Sequence, residues 1–177
     1  MGLGSYWGEV LDVLEEIIPV YDKVNSYISL GKDSEHRTKA IKHGVKKGDR
    51  ILDAGSGFGN MSKTALDLVD GDAHIVLYDP LLPMIKNTDR LFEEKPEAAC
   101  GVFEHVPFSD EQFDVVLSGY SLRDAISLKI AISEIHRETQ EQILQQPGCC
   151  VEKQGESAYC YIGPICICLI HLAEFGI

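Results

Sequence analysis

The sequence predicts an α/β fold with a doubly wound, mostly parallel sheet, and three observations carry that expectation. Apolar runs of strand length alternate with stretches of helical period. One strand-to-helix junction, residues 51–60 (ILDAGSGFGN), holds three glycines in alternation with Ser56 and Phe58. Acidic or polar residues stand where the strands end, at Asp53, Asp79, Glu104 and Ser118.

Taken in order, Val10, Leu11, Leu14, Ile17 and Ile18 recur at helical spacing. They predict an amphipathic helix over residues 8–18, which Pro19 helps to end. Residues 21–31 (YDKVNSYISLG) show no clean period. A second helix is expected over about 34–43, with Gly44 and Gly48 bracketing the turn into the first strand. That strand is Ile51-Leu52-Asp53, with Arg50 before it. Beyond the glycines, Met61, Ala65, Leu68 and Val69 keep the pattern of a core-facing helix. Asp70-Gly71-Asp72 is a turn, and residues 74–78 (HIVLY) form the second strand, ending at Asp79.

Leu81, Leu82, Met84 and Ile85 form an apolar face suited to helix packing and to lying beside a flat ring. Residues 98–103 (AACGVF) read as a weak third strand and 113–118 (FDVVLS) as a clear fourth, with the polar turn Ser109-Asp110-Glu111 between them. A helix is expected over 127–137 with Leu128, Ala131, Ile132 and Ile135 inward. Right-handed crossovers then place a ligand beyond the C-terminal ends of the strands.

The glycine spacing narrows the ligand. A dinucleotide fingerprint, G-x-G-x-x-G, would need glycine at position 60, where Asn60 stands. The run is instead D-x-G-x-G-x-G, with Asp53 two residues before Gly55. An acid at a strand tip suits a cationic ligand and repels a pyrophosphate. S-adenosyl-L-methionine, with an ammonium and a sulfonium and no phosphate, is the expected cofactor. The glycines let backbone approach it, and the following helix N-terminus offers free N–H groups. Asp79, 20 residues beyond Gly59, is placed to accept ribose hydroxyls.

Composition excludes some classes. The 177 residues carry 28 acidic against 16 basic side chains, a formal charge of −12, which disfavours nucleic acid as a partner. No signal-peptide pattern opens the chain, so a cytoplasmic location is expected. Five of six cysteines fall in the last 29 residues, four of them as one C-C and one C-x-C pair rather than C-x-x-C, so no metal site is expected. They read as thiols packed on apolar strands. The apolar stretch 158–173 is broken by Gly163 and Pro164 and is too short to span a bilayer. Peripheral membrane contact and a homodimer stay open.

Residues 21–137 resemble the class I S-adenosylmethionine-dependent methyltransferases, a Rossmann-like fold, and most closely the ubiquinone/menaquinone biosynthesis C-methyltransferase family. Four stretches carry the resemblance: YDKVNSYISLG (21–31), ILDAGSGFGN (51–60), VPFSDEQFDVV (106–116) and SLRD (121–124). The second and third are common to many methyltransferases, whereas the first and fourth together point to the quinone branch. The resemblance implies that Asp53, Gly55, Ser56 and Gly57 hold the methionine end. It implies Asp79 on the ribose, Pro80 and Leu81 against the adenine, Phe103 and Glu104 flanking the adenine, and Ser118 near the methionine. Tyr21, Asn25, Tyr120 and Arg123 would face the acceptor pocket or its lid. The implied reaction is methyl transfer to a small molecule, a quinol ring carbon being one candidate. No residue declares itself the catalytic base; His105, Tyr21 and Asp124 are each weak candidates.

Departures accompany the resemblance. Val102 stands where the family often has Asp or Asn for the adenine amino group, so that contact is either missing or moved to Glu104. Ser121 replaces a glycine and Asp124 an asparagine. From Glu138 on, the sequence no longer follows the family's turn, fifth strand and closing hairpin. This tail reads as an alternative ending with one or two strands (158–162 and 165–171), as the out-of-frame product of a change near codon 138, or as a membrane-surface segment. The expected organisation is a helical cap or lid over 1–48, a cofactor-binding core over 49–137 and an atypical tail over 138–177, made of one or two edge strands or poorly structured. The rival functional reading is a catalytically incomplete cofactor-binding module or regulatory partner.

Overall fold

A computed structural model describes residues 16, 18–21, 23, 27, 33–42, 44–119, 121–138, 150–154, 157–162 and 165–170. Its centre is β1 (Arg50–Ala54), exposed at Arg50 and buried from Ile51 on. A strand covered on both faces reads as a near-continuous apolar run, as this one does up to Asp53. The other strands are β2 (His74–Asp79), β3 (Glu97–Cys100), β4 (Val115–Gly119), β5 (Cys150–Gln154), β6 (Ser157–Ile162) and β7 (Ile165–Ile170). Among the described residues the helices are α1 (Asp33–Ile41), α2 (Asn60–Leu68), α3 (Leu82–Lys86) and α4 (Leu128–Arg137). Short 3-10 turns lie at Ile18–Val20, Thr88–Arg90 and Leu122–Asp124.

The seven described strands form one sheet in the order β3-β2-β1-β4-β7-β6-β5. The β3-β2-β1-β4-β7 portion is parallel, and β6 and β5 add on antiparallel to it. The fold class is therefore the expected α/β architecture with a mostly parallel sheet. Alternation along the strands feeds two cores. Leu52, Ala54, Val76, Tyr78 and Val116 pack with Ala131 and Ile135 of α4 on one face. Ile51, Ile75, Leu77, Val115 and Leu117 pack with Ile41 of α1 and Met61 and Ala65 of α2 on the other. Helices on both faces make the sheet doubly wound.

Several details differ from the sequence expectation. The third strand ends at Cys100, not Phe103. A Cβ on Gly101 would lie 2.2 Å from the Tyr78 hydroxyl, so only glycine passes there. That hydroxyl is shared between the carbonyls of Val102 (2.8 Å) and His105 (2.9 Å), and the His105 amide also donates to Val102, folding 102–105 into a turn. The fourth strand begins at Val115; Asp114 turns aside to accept the Arg50 amide at 2.8 Å. Leu68, Leu82 and Leu128 are exposed rather than inward. Met61, Ala65 and Val69 already fill the buried face of α2, Leu81 and Met84 that of α3, and Ala131 and Ile135 that of α4. Cys100 lies exposed on the edge strand instead of packing in the core. The 8–18 helix falls outside the described residues apart from positions 16 and 18. In the tail, β5 adds a strand that the sequence did not signal, and β7 lies between β4 and β6 rather than at an edge. Among the described residues, no helix is long and apolar enough to cross a membrane.

Candidate functional site

Asp53 is the penultimate residue of β1, in register with Leu77 and Leu117, so it faces the α1/α2 side of the sheet. It is fully buried. One carboxylate oxygen, Oδ2, accepts from the Ser62 amide at 3.1 Å and the Ser62 hydroxyl at 2.7 Å. Ser62 is the third residue of α2, and the residue before that helix, Gly59, has no side chain to cap it. Asp53 thus caps α2 from the neighbouring strand, where an acid is favoured by the free N–H groups and the helix dipole. The other oxygen, Oδ1, is buried with no hydrogen-bond partner. Burial outweighs the Ser62 bonds and the nearby Arg37 charge, and the Asp53 pKa rises to about 6.

Asp79 ends β2 two residues beyond Leu77, on the same face, and is 5% exposed. Its Oδ2 accepts the Gly57 amide at 2.7 Å and its Oδ1 the Leu81 amide at 2.8 Å. One carboxylate therefore ties the glycine turn to the start of α3. Burial raises the Asp79 pKa to about 6 against those two bonds, and the charges of Asp53 and Asp124 push the same way. The two strand-end acids lie close enough to feel one another.

The glycine turn is held by the Gly55 and Ser56 amides, which donate to the Tyr78 carbonyl at 2.7 and 3.1 Å. Gly55 has φ +72°, and a Cβ there would meet Ser121 Oγ at 2.2 Å and Phe103 Cζ at 2.9 Å. Only glycine closes the gap between the ends of β1 and β4. Gly57, at φ +56°, borders Met84 and Tyr21, whose hydroxyl would lie 3.8 Å from an added Cβ. Tyr21 packs edge-on to Phe58 with ring centroids 5.9 Å apart. Leu81 joins Phe58 and Met84 in a small apolar cluster beside Tyr21, next to the Asp79 carboxylate. The Pro80 carbonyl accepts a weak bond from the Cys100 thiol at 3.4 Å.

At the end of β4, Ser121 donates its hydroxyl to the Ala54 carbonyl at 3.2 Å. Its proton is then committed, so the buried Ser118 is the donor in their 3.1 Å contact. Phe103 is buried against Gly55. Glu104 Oε1 accepts the Ser127 amide at 2.9 Å, which fixes the approach to α4, while Oε2 is buried without a partner. The structure thus gathers Asp53, Gly55, Ser56, Gly57, Asp79, Leu81, Phe103 and Ser118 around the C-terminal ends of the strands, with Tyr21 beside the glycine turn. Arg123 belongs to the 3-10 turn after β4. Asn25 and Tyr120 lie outside the described residues. His105 is exposed.

Ser62, Arg37 and Ser121 are the neighbours that sequence reasoning missed. The uncapped Gly59 before α2 is the signal that could have found Ser62, because its free amides must find an acceptor. Neither α1 nor the 121–124 turn carries a comparable mark for the other two. Chemically, the strand ends present two buried acids, one of which, Asp53, keeps an oxygen without a partner, an arrangement that fits a cationic guest with hydroxyls. Among the described residues, no group of three or more His, Cys, Asp or Glu could hold a metal ion.

Comparison with known proteins bears on the family and the fold. The model of the ubiE/COQ5 methyltransferase family matches residues 4–145. The 2-phytyl-1,4-naphtoquinone methyltransferase of Nostoc punctiforme is 28% identical over 135 residues, covering 73% of this chain and 59% of that protein. The demethylmenaquinone methyltransferase of Chlorobaculum parvum is 31% identical over 145 residues, covering 79% of this chain and 57% of its own. The chain therefore spans somewhat more than half the length of these relatives. Among solved structures, a SAM dependent methyltransferase from Aquifex aeolicus superposes with a TM-score of 0.54 at 17% identity, over 74% of this chain and 62% of that one. The YcgJ protein from Bacillus subtilis does so with a TM-score of 0.53 at 20% identity, over 60% and 46%. Both share the fold.

Proposed function

We propose, from the premise that this chain belongs to the ubiE/COQ5 methyltransferase family, that its strand-end cleft binds S-adenosyl-L-methionine for methyl transfer to a small-molecule acceptor. The observation that carries this reading is the pair Asp53 and Asp79. They are buried on one face, both with raised pKa, and Asp53 keeps an oxygen without a partner. A ligand with a sulfonium and an ammonium supplies the missing charge, and its ribose hydroxyls can bond a carboxylate that still has lone pairs open.

In this reading Asp53 and the backbone of Gly55, Ser56 and Gly57 hold the methionine end, with Ser118 nearby. Asp79 holds the ribose, and Pro80, Leu81, Phe103 and Glu104 line the adenine. The cofactor supplies a methyl group on a positively charged sulfur, which leaves with the bonding electron pair. The chain's own part is to orient that methyl and keep water out, an effect worth about 7–11 kcal/mol when geometry is well fixed. The acceptor would enter past Tyr21, Asn25, Tyr120 and Arg123, under a cap formed by residues 1–48. The named activities of the two relatives support a quinol ring carbon as acceptor. The cytoplasmic location expected from the sequence belongs to the same proposal.

One observation favours a second reading. Among the described residues, the strand beside β4 is the last in sequence, reached through the antiparallel pair β5 and β6. An altered wall on that side would leave a cofactor-binding module without turnover. Calorimetric titration with S-adenosyl-L-methionine, followed by a methyl-transfer assay on a reduced demethylated naphthoquinone, separates the two. Binding with turnover is expected. Binding without turnover transfers the conclusion to the module, and absence of binding overturns both.

A further inference from the structure

We propose that Phe58 is a positioning residue for the cofactor: held between the Arg90 guanidinium and the Tyr21 ring, it fixes the glycine turn so that the Gly57 amide stays on Asp79. The assignment rests on the cofactor reading above and deepens it, by naming what keeps the cradle in shape before a ligand arrives.

Residues 55–59 read GSGFG, so only Ser56 and Phe58 have side chains with which to anchor the turn. Gly55, Gly57 and Gly59 take positive φ, at +72°, +56° and +91°. Glycine reaches such angles readily, and for the same reason does not hold them. Ser56 contributes little, because its hydroxyl reaches only the neighbouring Gly57 carbonyl, at 3.5 Å. The anchor is therefore Phe58, which is 1% exposed. The Arg90 guanidinium carbon lies over its ring, 4.1 Å from the centroid, and the Tyr21 ring stands at 76° to it with centroids 5.9 Å apart. The ring quadrupole favours both arrangements. Ile18, Leu81, Met84 and Leu91 complete the surround.

The attachments converge on one segment. Asp79 holds the turn at Gly57 and the start of α3 at Leu81, through its two oxygens. Helix α3 leads through the 3-10 turn to Arg90, which holds the next residue of the glycine turn, Phe58. Phe92 then lies against Gly59, where an added Cβ would stand 2.7 Å from its ring. Positions 57, 58 and 59 are thus each fastened to the segment 79–92. Without the ring at position 58, the glycines on either side would let Gly57 swing off Asp79. That carboxylate would lose one of the two amide bonds that oppose the effect of its burial, and would take up a proton more readily. A protonated Asp79 is the poorer acceptor for ribose hydroxyls. The fixed ring keeps the acid in the state that binds.

The test follows the affinity of the full chain for S-adenosyl-L-methionine by calorimetry from about pH 5 to about pH 8, the range in which the strand-end acids titrate. The variants are Phe58→Leu, which keeps apolar bulk without the ring, Arg90→Gln and Arg90→Lys. Phe58→Leu should move the acid limb of the affinity profile up by about half to one pH unit, the equivalent of one backbone hydrogen bond. Its loss of affinity is then a few-fold larger near pH 6 than near pH 8. Asp53, Asp124 and Cys100 also interact with Asp79, and none of them is altered, so the shift reports the Gly57 bond. Arg90→Gln should move the limb the same way by less, and Arg90→Lys, which keeps a cation for the ring, should restore the wild-type profile. Arg90 is exposed, so this pair keeps the assignment testable if Phe58→Leu does not fold. A shift in Phe58→Leu that Arg90→Gln does not share would overturn the part given to Arg90. A loss equal at every pH, or no loss, in both variants would overturn the role of Phe58 and leave the cofactor reading standing. A wild type that binds no cofactor would overturn both.

Discussion

The two edges of the sheet treat their acids in opposite ways. At the N-terminal edge of the strands the chain supplies its own counter-charges. Arg137 reaches Asp110 at 2.6 Å, Glu134 at 2.9 Å and Glu138 at 2.5 Å, and also donates to the carbonyls of Val106 and Phe108. Lys47 pairs with Asp70, and Asp114 accepts the Arg50 amide. At the C-terminal edge, Asp53 and Asp79 are buried and their protons are held more tightly than usual, while Asp53 and Glu104 each keep an orphaned oxygen. A carboxylate completed by the protein is architecture; one left incomplete is a demand on a ligand. Glu138 is the exception at the first edge, where both its oxygens lack a hydrogen-bond partner despite the ion pair with Arg137. Fully buried and sharing one guanidinium with two other acids, it has a pKa raised to about 7, burial being the main cause.

Substitutions can break or sharpen this contrast, and the glycines give the largest effect. Gly55→Ala at the C-terminal edge combines a left-handed φ with a Cβ 2.2 Å from Ser121 Oγ. It should cost about 3 kcal/mol or more of stability. Gly48→Ala, in the turn before β1, has φ +85° and nothing within 4 Å of the new Cβ, so the strain alone, about 1–2 kcal/mol, is expected. Urea unfolding of both variants measures the difference, and equal losses would contradict the tight closure between β1 and β4.

Next in size is Asp53→Asn. Cofactor affinity should fall by about 100-fold on calorimetry, since the charge is lost with the shape kept. Stability should move the other way. Folding raises the Asp53 pKa from 3.8 to about 6, so between those values the folded protein holds a proton that the unfolded chain has released. The ligand-free wild type therefore loses stability as pH rises through that window, by roughly 3 kcal/mol from this one acid. The asparagine variant should lack that loss, and its thermal midpoint at pH 7.5 should equal or exceed that of the wild type. A variant that is both destabilised and unable to bind would make Asp53 a structural acid first.

Arg137→Gln tests the opposite edge. It removes the guanidinium shared by three carboxylates and should destabilise by about 1–3 kcal/mol while leaving the cofactor dissociation constant unchanged. The smallest effect is expected from Tyr78→Phe. It loses the hydroxyl that pins the 102–105 turn but keeps the ring's packing against Phe108, at a cost of about 1 kcal/mol and a few-fold in affinity.

The sequence makes the C-terminal edge legible to an unusual degree. Asp53, Gly55, Gly57 and Asp79 lie within one strand–turn–helix–strand unit, where spacing along the chain converts directly into spacing in space. Local signals of that kind also place β1, β2 and α2. What the sequence hides is tertiary. The charge of Arg37 acts on Asp53 only because α1 docks on the sheet, and Ser121 meets Ala54 only because β4 lies beside β1. The inward assignment of Leu68, Leu82 and Leu128 fails for a related reason. Helical period marks an apolar stripe, but how much of that stripe is covered depends on where the helix meets the sheet. The early end of β3 is set by the Tyr78 hydroxyl against Gly101, 23 residues apart, a contact that no local pattern encodes.

The most direct measurement is proton release on cofactor binding. At pH 6 the two strand-end acids of the ligand-free protein are each about half protonated. Titrating S-adenosyl-L-methionine by calorimetry in two buffers of different ionisation enthalpy should show close to one proton released per cofactor bound, fading to none near pH 8. Tight binding with no proton release at pH 6, or no binding at all, would contradict the claim that these acids are left incomplete for a cation.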